Sequence, residues 1–598
     1  MLRIVIPFLT VLNSEVFFMN LTDSRIYILV VCHVRIFHKV FKFFSALHRL
    51  EEKEREILLK KHVLGITVLL VMAMSLLGSI RIAKSQNPVI KIGIFGPSGI
   101  PGYPHWDAGM WSAAQMLAEQ YNNAGGWNIG GTNYDIEVYA ASEYTEDPSN
   151  VDGIHASIDY LCKPPPDGVG VNFIIGGFRT ECVEVAIDYW YEQGYSEDVP
   201  FFINGAATDD LIGDTVGTNH EGYKHLYRVM PVNSSALFST FGAAIQYVLC
   251  SENGILTRLF GKTWWPGQLH PQVKVAVITE DLAWTVTMHY YLTTPGVYPL
   301  VLGNYVNVTY ATRLPDGNTI PANPEDFENA LLAANATGAN LLIHVFSGSA
   351  GQLLITKWHD LQLPMLPVGI NVVSQTQGMW SSTAGACEYE SHLMALGTRT
   401  AITPELEKFW DDFLAWTEDH LGQPLWPVYT AVGVANTFIV LKNATETLGT
   451  LDINDIHDYL CPRTSPGRAI QVLNGIVRFT ADHDVYLTPL EYSPYWTGYV
   501  RALVVQWLDV RLEAVYPIDA SWSKVWCLPP WMYTLIWDIT YDAYVGIDDI
   551  VGAAENFGAE PGHPRWDHRS DVTFDDYVGI DDVVGIAEHF GSGWTPPP

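Results

Sequence analysis

Two residue patterns in this chain could do chemistry. One is a doubled acidic loop, in which Asp538, Thr540, Asp542 and Asp549 recur as Asp571, Thr573, Asp575 and Asp582, an offset of 571 − 538 = 33 residues. Oxygen donors at loop positions 1, 3, 5 and 12 suit a hard cation, so these eight residues are the expected Ca2+ ligands. Ala543 and Asp576 stand where such loops usually carry glycine, and Thr stands at position 3, which should weaken affinity. The other pattern is a set of small, polar loops after apolar runs. Phe178-Arg179-Thr180-Glu181 opens a helix, and helix N-termini seat carboxylates and other anions. Thr180 could equally be only a helix cap. In Gly205-Ala206-Ala207-Thr208, small residues admit a ligand to the backbone and Thr208 can donate a hydrogen bond. Catalytic motifs are missing. Gly93, Gly96 and Gly99 lack the tight first pair of a dinucleotide fingerprint, there is no HExxH, and no Cys/His group has metal-ligand spacing. Ser347-Gly-Ser349-Ala-Gly351 misses the nucleophile elbow by its first glycine, which leaves a hydrolase built on Ser349 as a distant third reading. The chain is read as a binder and not an enzyme.

Positioning such loops takes alternating strands and helices. Val89–Phe95, Asp135–Ala140, Phe173–Gly177 and Val199–Asn204 read as strands, with helical spacing over Met110–Tyr121, Val151–Leu161 and Thr180–Glu192. The rhythm restarts with a helix at Ser234–Leu249, a strand at Val273–Thr279 and a helix at Ala283–Thr293. It continues with helix Asp326–Ala336, strand Leu341–Phe346, helix Gln352–Leu361 and strand Met365–Gly369. The expected class is α/β: two Rossmann-like lobes of mostly parallel sheet, with ligand loops beyond the C-terminal strand ends.

The run FIIGGFRTECVEVAIDYW…VPFFINGAATDDL resembles the branched-chain amino-acid-binding proteins of ABC importers, as do VKVAVITEDLAW, DFENALLAANATGANLLIHVFSGSAGQLL, LPMLPVGINVV and VVQWLDVRLEAVYP. The resemblance spans about residues 88–530. It implies the type I periplasmic-binding fold, with two lobes joined by three crossovers. It divides the chain into lobe 1 at 88–232 and 399–485, and lobe 2 at 233–398 and 486–530. The site residues it implies are Tyr103, Arg179, Thr180, Ala206, Thr208, Trp284, Ser347 (or Ser349) and Asn371. Asn371 is a departure, because amino-acid binders place an acidic residue there and an amide cannot neutralise a buried ammonium. Arg179 is another, since that position is usually a small hydroxyl residue. The implied function is capture of an amino-acid-like or other small polar solute by lobe closure and delivery to ABC permease subunits.

The duplicated tail, 536–593, resembles dockerin type I modules, each loop running into one helix (IVGAAENFG, VVGIAEHFG) with Ile550, Ala554 and Phe557 on one face. That implies a small α-helical, EF-hand-type module and a cohesin-type surface partner. A cell-surface scaffold working through this tail, with a non-transport lobed domain, is the alternative function. Val63–Ile80 is an uncharged, mostly apolar run after Lys60-Lys61, so 62–85 is expected to be a signal peptide or a membrane anchor, placing the rest outside the cytoplasm. Residues 1–61 read as a gene-model extension or an extra membrane-proximal segment. The chain has 598 residues and a net charge of −32. Residues 1–84 hold 12 basic and 6 acidic groups, leaving 33 − 12 = 21 basic against 65 − 6 = 59 acidic beyond them. So acidic a body excludes nucleic acid as a partner. Cys162 and Cys182 are the expected disulfide, and Asn233, Asn307, Asn335 and Asn443 head glycosylation triplets.

Overall fold

A computed structural model describes residues 87–96 and 104–593, apart from 145–146, 252–253, 261–272, 318–320, 396–401, 463–466, 487–497, 519–522, 533–536, 541–543, 561–562, 566 and 574–576. The expected leader segments at 1–61 and 62–85, and Tyr103, Asp542 and Asp575, lie outside the described residues. Among the described residues no helix is long and apolar enough to cross a membrane.

The strands β1 (Val89–Gly96), β2 (Trp127–Ile129), β3 (Thr132–Ser142), β4 (Phe173–Gly176), β5 (Phe201–Ile203) and β6 (Leu226–Arg228) form one sheet in the order β2-β3-β1-β4-β5-β6. β1 is apolar on both faces, with Ile90, Ile92, Ile94 and Phe95 buried, which suits the middle of a parallel sheet covered on both sides. Its pairings with β3 and β4 are parallel, and only β2 runs against its neighbour. Helices α1 (Pro104–Asn123), α2 (Val151–Cys162) and α3 (Thr180–Glu192) connect these strands.

After β6 the chain enters a second sheet, built from β7 (Val273–Glu280), β8 (Val306–Leu314), β9 (Leu341–Phe346), β10 (Leu366–Asn371) and β11 (Ser391–Met394). α4 (Ser234–Ala244), α5 (Ala283–Thr293), α6 (Pro324–Ala336) and α7 (Ser349–Asp360) belong to this lobe. The chain then returns to the first lobe through α8 (Pro404–Leu421), α9 (Tyr429–Leu448) and α10 (Ile453–Leu460), where Asn128 N–H donates to Glu446 at 2.9 Å and the Trp416 indole donates to Glu119 at 3.0 Å. A short hairpin, β12 (Ile470–Val472) and β13 (Gly475–Val477), precedes the last crossing. β14 (Leu503–Leu508) and β15 (Arg511–Tyr516) then complete the second sheet as β15-β14-β11-β10-β9-β7-β8. β14 is antiparallel to β11 and pairs antiparallel with β15. The N-terminal two-thirds of α9 is buried nearly all round, so its polar side chains find internal partners: Asn436 donates to Asn474 at 2.9 Å and accepts from Leu473 N–H at 3.1 Å.

The tail holds α11 (Ile547–Glu555) and α12 (Ile580–Glu588), and it closes as a reciprocal clasp. Val545 N–H donates to the Ser592 carbonyl while the Val545 carbonyl accepts from Gly591 N–H, and Val578 N–H donates to the Ala559 carbonyl while the Val578 carbonyl accepts from Gly558 N–H. Each partner pair is the other's image, since 578 − 545 = 33 and 591 − 558 = 33.

Four readings need correction. β8 was missed because it is an edge strand whose residues are mostly half-exposed, which blurs the buried-strand signal. The helix expected over Ser234–Leu249 ends its α-helical part at Ala244 and continues as one π-type turn, Ile245–Leu249. Cys162 and Cys182 are not bridged. Cys162 is buried on α2, and Cys182 directs its Sγ to the Tyr144 carbonyl at 3.7 Å. Asn233 is not an open glycosylation site, being buried as the cap of α4 with its amide on Asp484 at 2.8 Å.

Candidate functional site

A cavity of about 450 Å³ lies where the C-terminal strand ends of the two sheets face each other. Lobe 1 contributes the loops after β4 and β5. Gly176 and Gly177 take φ values of 134° and 82°, and a Cβ on Gly176 would stand 1.9 Å from the Phe95 carbonyl oxygen, so only glycine makes this turn. The turn brings Phe178, Arg179 and Thr180 to the cavity wall. Two peptide groups just ahead of α3 are already occupied. Buried Glu143 accepts from Phe178 N–H at 2.6 Å and from Arg179 N–H at 3.1 Å. A solute carboxylate therefore meets a built-in carboxylate at the entrance that the sequence offers as an anion seat. The Thr180 hydroxyl accepts from Ala207 N–H at 3.1 Å and so ties the two loops together, and the Arg179 guanidinium pairs with Glu181 at 3.2 Å.

Lobe 2 repeats the device with different partners. Glu280, at the end of β7, is fully buried and accepts from the Trp284 indole at 2.6 Å, the Ser347 hydroxyl at 2.6 Å and Ser347 N–H at 2.9 Å. Burial pushes its carboxyl up to about 7 against the pull of these donors, with the Asp316 charge adding to the rise. Trp284 and Ser347 both line the cavity, so Glu280 fixes the wall from behind. Asp316 and Tyr429 also reach the cavity, among mostly apolar side chains such as Leu237, Leu282 and Ile370.

Of the expected site residues, Arg179, Thr180, Trp284 and Ser347 meet at this cavity, and Ser349 lines it too. Ala206, Thr208 and Asn371 stand outside the lining. Ala206 is fully buried, with its neighbour Ala207 facing the cavity, and the Thr208 carbonyl receives the Arg228 guanidinium at 2.6 Å. Asn371 lies beneath α7, where a Cβ on Gly351 would come within 2.5 Å of its Oδ1. Its Nδ2 donates to Glu390 at 2.7 Å. Burial alone would raise Glu390, but His344, Asn371 and the Ser374 hydroxyl also bind it and His392 stands near, and it is held below the ordinary carboxylate range. Sequence reasoning missed Glu143, Glu280 and Asp316. Glu280 had a readable signal: it ends an apolar strand that runs parallel to the one leading into Ser347.

No protein-family model and no curated protein matches the chain. Solved structures do. A protein from Silicibacter pomeroyi, described as a branched-chain amino acid ABC transporter, superposes with a TM-score of 0.54 at 15% identity, covering 74% of this chain and 100% of that one. The chain has the type I periplasmic-binding fold. Two further neighbours score 0.49. A solute-binding protein of an ABC transporter from R. palustris, in complex with benzoate, is 13% identical and covers 72% of this chain and 96% of its own. A branched-chain amino acid transporter substrate-binding protein from Streptococcus pneumoniae, in complex with isoleucine, is 14% identical and covers 72% and 100%. At such identities the likeness concerns the fold alone.

The tail loops place Asp538, Asp549, Asp571 and Asp582 in buried positions. Thr540 Oγ1 donates to Asp538 at 3.2 Å and Thr540 N–H to Asp549 at 2.9 Å, and Thr573 repeats both bonds to Asp571 and Asp582 at 3.3 and 3.0 Å. These bonds link the residues at loop positions 1, 3 and 12 in each copy.

Proposed function

We propose that this chain is an extracytoplasmic solute-binding protein that captures a small amino-acid-like solute between its lobes and delivers it to an ABC permease. The observation that carries this reading is the interlobe cavity. At about 450 Å³ it falls in the usual range for small-ligand sites, roughly 300–1,000 Å³, and its walls are mostly apolar with a few polar groups at fixed places. Arg179 on one lobe and Asp316 on the other suit a zwitterion that bridges the two, with an apolar body against Trp284 and Leu282. A solute that touches both lobes stabilises the closed form by its differential affinity. Glu143 turns the solute's carboxylate away from the α3 peptide groups and towards the Arg179 side chain. The test is a thermal-shift and calorimetric screen of the full chain against apolar amino acids, aromatic carboxylates, amides and sugars. A solute at 100 times its dissociation constant stabilises the fold by about 2.7 kcal/mol. A hit lost in Trp284→Ala supports the reading, and a panel with no hit overturns it.

The tail supports a second role, attachment through a calcium-loaded dockerin-like module. Asp538, Thr540, Asp542 and Asp549 would hold one ion, and Asp571, Thr573, Asp575 and Asp582 the other. Each ion would supply the positive charge that brings the loop's carboxylates together. Tyr544, Ile547, Val551 and Phe557 are exposed, and so are their images Tyr577, Ile580, Val584 and Phe590. Such a doubled apolar surface suits a protein partner of the cohesin kind. Calcium-dependent capture by a cohesin domain tests it. Capture without any solute hit would favour the surface-scaffold alternative.

A further inference from the structure

Away from the cleft, three histidines far apart in sequence meet at the end of lobe 1. His220 opens a helical turn (His220–Tyr223), His457 lies on α10, and His483 sits on a turn after the β12–β13 hairpin. One ring nitrogen of each lies within 4.8 Å of the others, and the ring centroids are 5.0, 5.0 and 6.0 Å apart. His457 and His483 are buried and His220 is half-buried.

Local bonds set how these rings present themselves. His483 takes φ 63°, a left-handed backbone uncommon outside glycine, and Arg228 N–H donates to its carbonyl at 3.1 Å to hold it there. Its Nδ1 lies 3.1 Å from the Leu226 carbonyl, so Nδ1 carries the proton and Nε2 is left as a bare lone pair. That Nε2 is buried without a hydrogen-bond partner, and so is Nδ1 of His220. His457 Nδ1 meets the Tyr227 hydroxyl at 3.1 Å. A ligating histidine is oriented as His483 is, one nitrogen bonded to a carbonyl and the other bare, whereas His457 also bonds the Lys224 backbone and would give up one of its two partners to a metal. Packing alone gives no reason to bury the bare nitrogens of His220 and His483 in one cluster, because each forfeits a hydrogen bond to water.

We propose that His220, His457 and His483 bind one zinc-class divalent cation. Three imidazole nitrogens with a fourth position open through half-buried His220 are a donor set for zinc, with nickel, copper and cobalt(II) as chemical competitors and calcium excluded. The ion would pin three separate segments onto the β6 edge of the first sheet. The site is independent of the solute cleft and of the acidic tail.

The full chain, stripped with chelator and returned to buffer with millimolar Ca2+ to fill the acidic loops, is titrated with Zn2+ and separately with Co2+. The expected result is one tight equivalent, and for cobalt the strong visible band of a four-coordinate nitrogen-ligated ion. His220→Gln and His483→Gln should each weaken zinc binding about tenfold or more, while Asp549→Asn leaves it unchanged. His220 is half-buried, so its variant should melt in chelator as the parent does and decides the matter if His483→Gln fails to fold. No tight equivalent, or one that survives His220→Gln, overturns the proposal.

Discussion

The two walls of the cleft use one device in two ways. In lobe 1, Glu143 binds two peptide N–H groups and so fixes a backbone, leaving the Arg179 and Thr180 side chains to face the cavity. In lobe 2, Glu280 binds an indole, a hydroxyl and a single peptide N–H, so it fixes side chains that are themselves the wall. The first arrangement makes a rigid ledge, and the second makes a surface whose shape depends on one carboxylate. Lobe 1 should therefore govern stability and lobe 2 should govern recognition.

The largest effect should come from Glu143→Ala, which strands two part-buried donors that now meet a buried carboxylate. At roughly 2 kcal/mol each, the loss is about 4 kcal/mol in urea unfolding. If stability is unchanged, the ledge does not depend on Glu143 and the contrast fails. Next comes the pH dependence of Glu280. Its carboxyl is raised from 4.5 to about 7, so the folded chain keeps a proton that the unfolded chain has released. Stability therefore falls as pH climbs through that window, by at most about 3 kcal/mol, and Glu280→Gln should flatten the slope seen in melts across that pH range. Trp284→Ala removes the largest apolar surface of the lobe 2 wall and should weaken solute binding about 30-fold, near 2 kcal/mol by calorimetry. Arg179→Ala is the smallest. Its partly exposed pairing with Glu181 limits the loss of affinity to about fivefold or less, near 1 kcal/mol, with no change in melting. A larger loss would move recognition to lobe 1.

Much of the framework was legible. Thr180–Glu192, Ala283–Thr293 and Leu341–Phe346 have the limits expected of them, and Leu341–Phe346 is the plainest case because it is a wholly buried apolar strand. The cleft was legible only as a set of loops. Arg179, Thr180, Trp284 and Ser347 could be placed since they follow strand ends directly, whereas their supports could not. An acid after a strand, such as Glu143, reads as surface until the fold closes over it. Asn371 reads as a ligand group because its burial under α7 depends on Gly351, twenty residues earlier (371 − 351 = 20). The histidine cluster has no local signal at all, since 457 − 220 = 237 and 483 − 457 = 26 residues separate its members.

The reciprocal clasp of the tail bears on mechanics. Val545 is bonded to Gly591 and Ser592, so the first loop and the last turn of the module leave from one point. A pull on Gly593 is transmitted to Val545 across these bonds, which share the strain in parallel and do not open one after another. The helices between these two points lie outside that line of force, whereas Asp538 and Thr540 precede Val545 and lie on it. Tension between Val545 and Gly593 would therefore load this clasp before it reached α11 or α12.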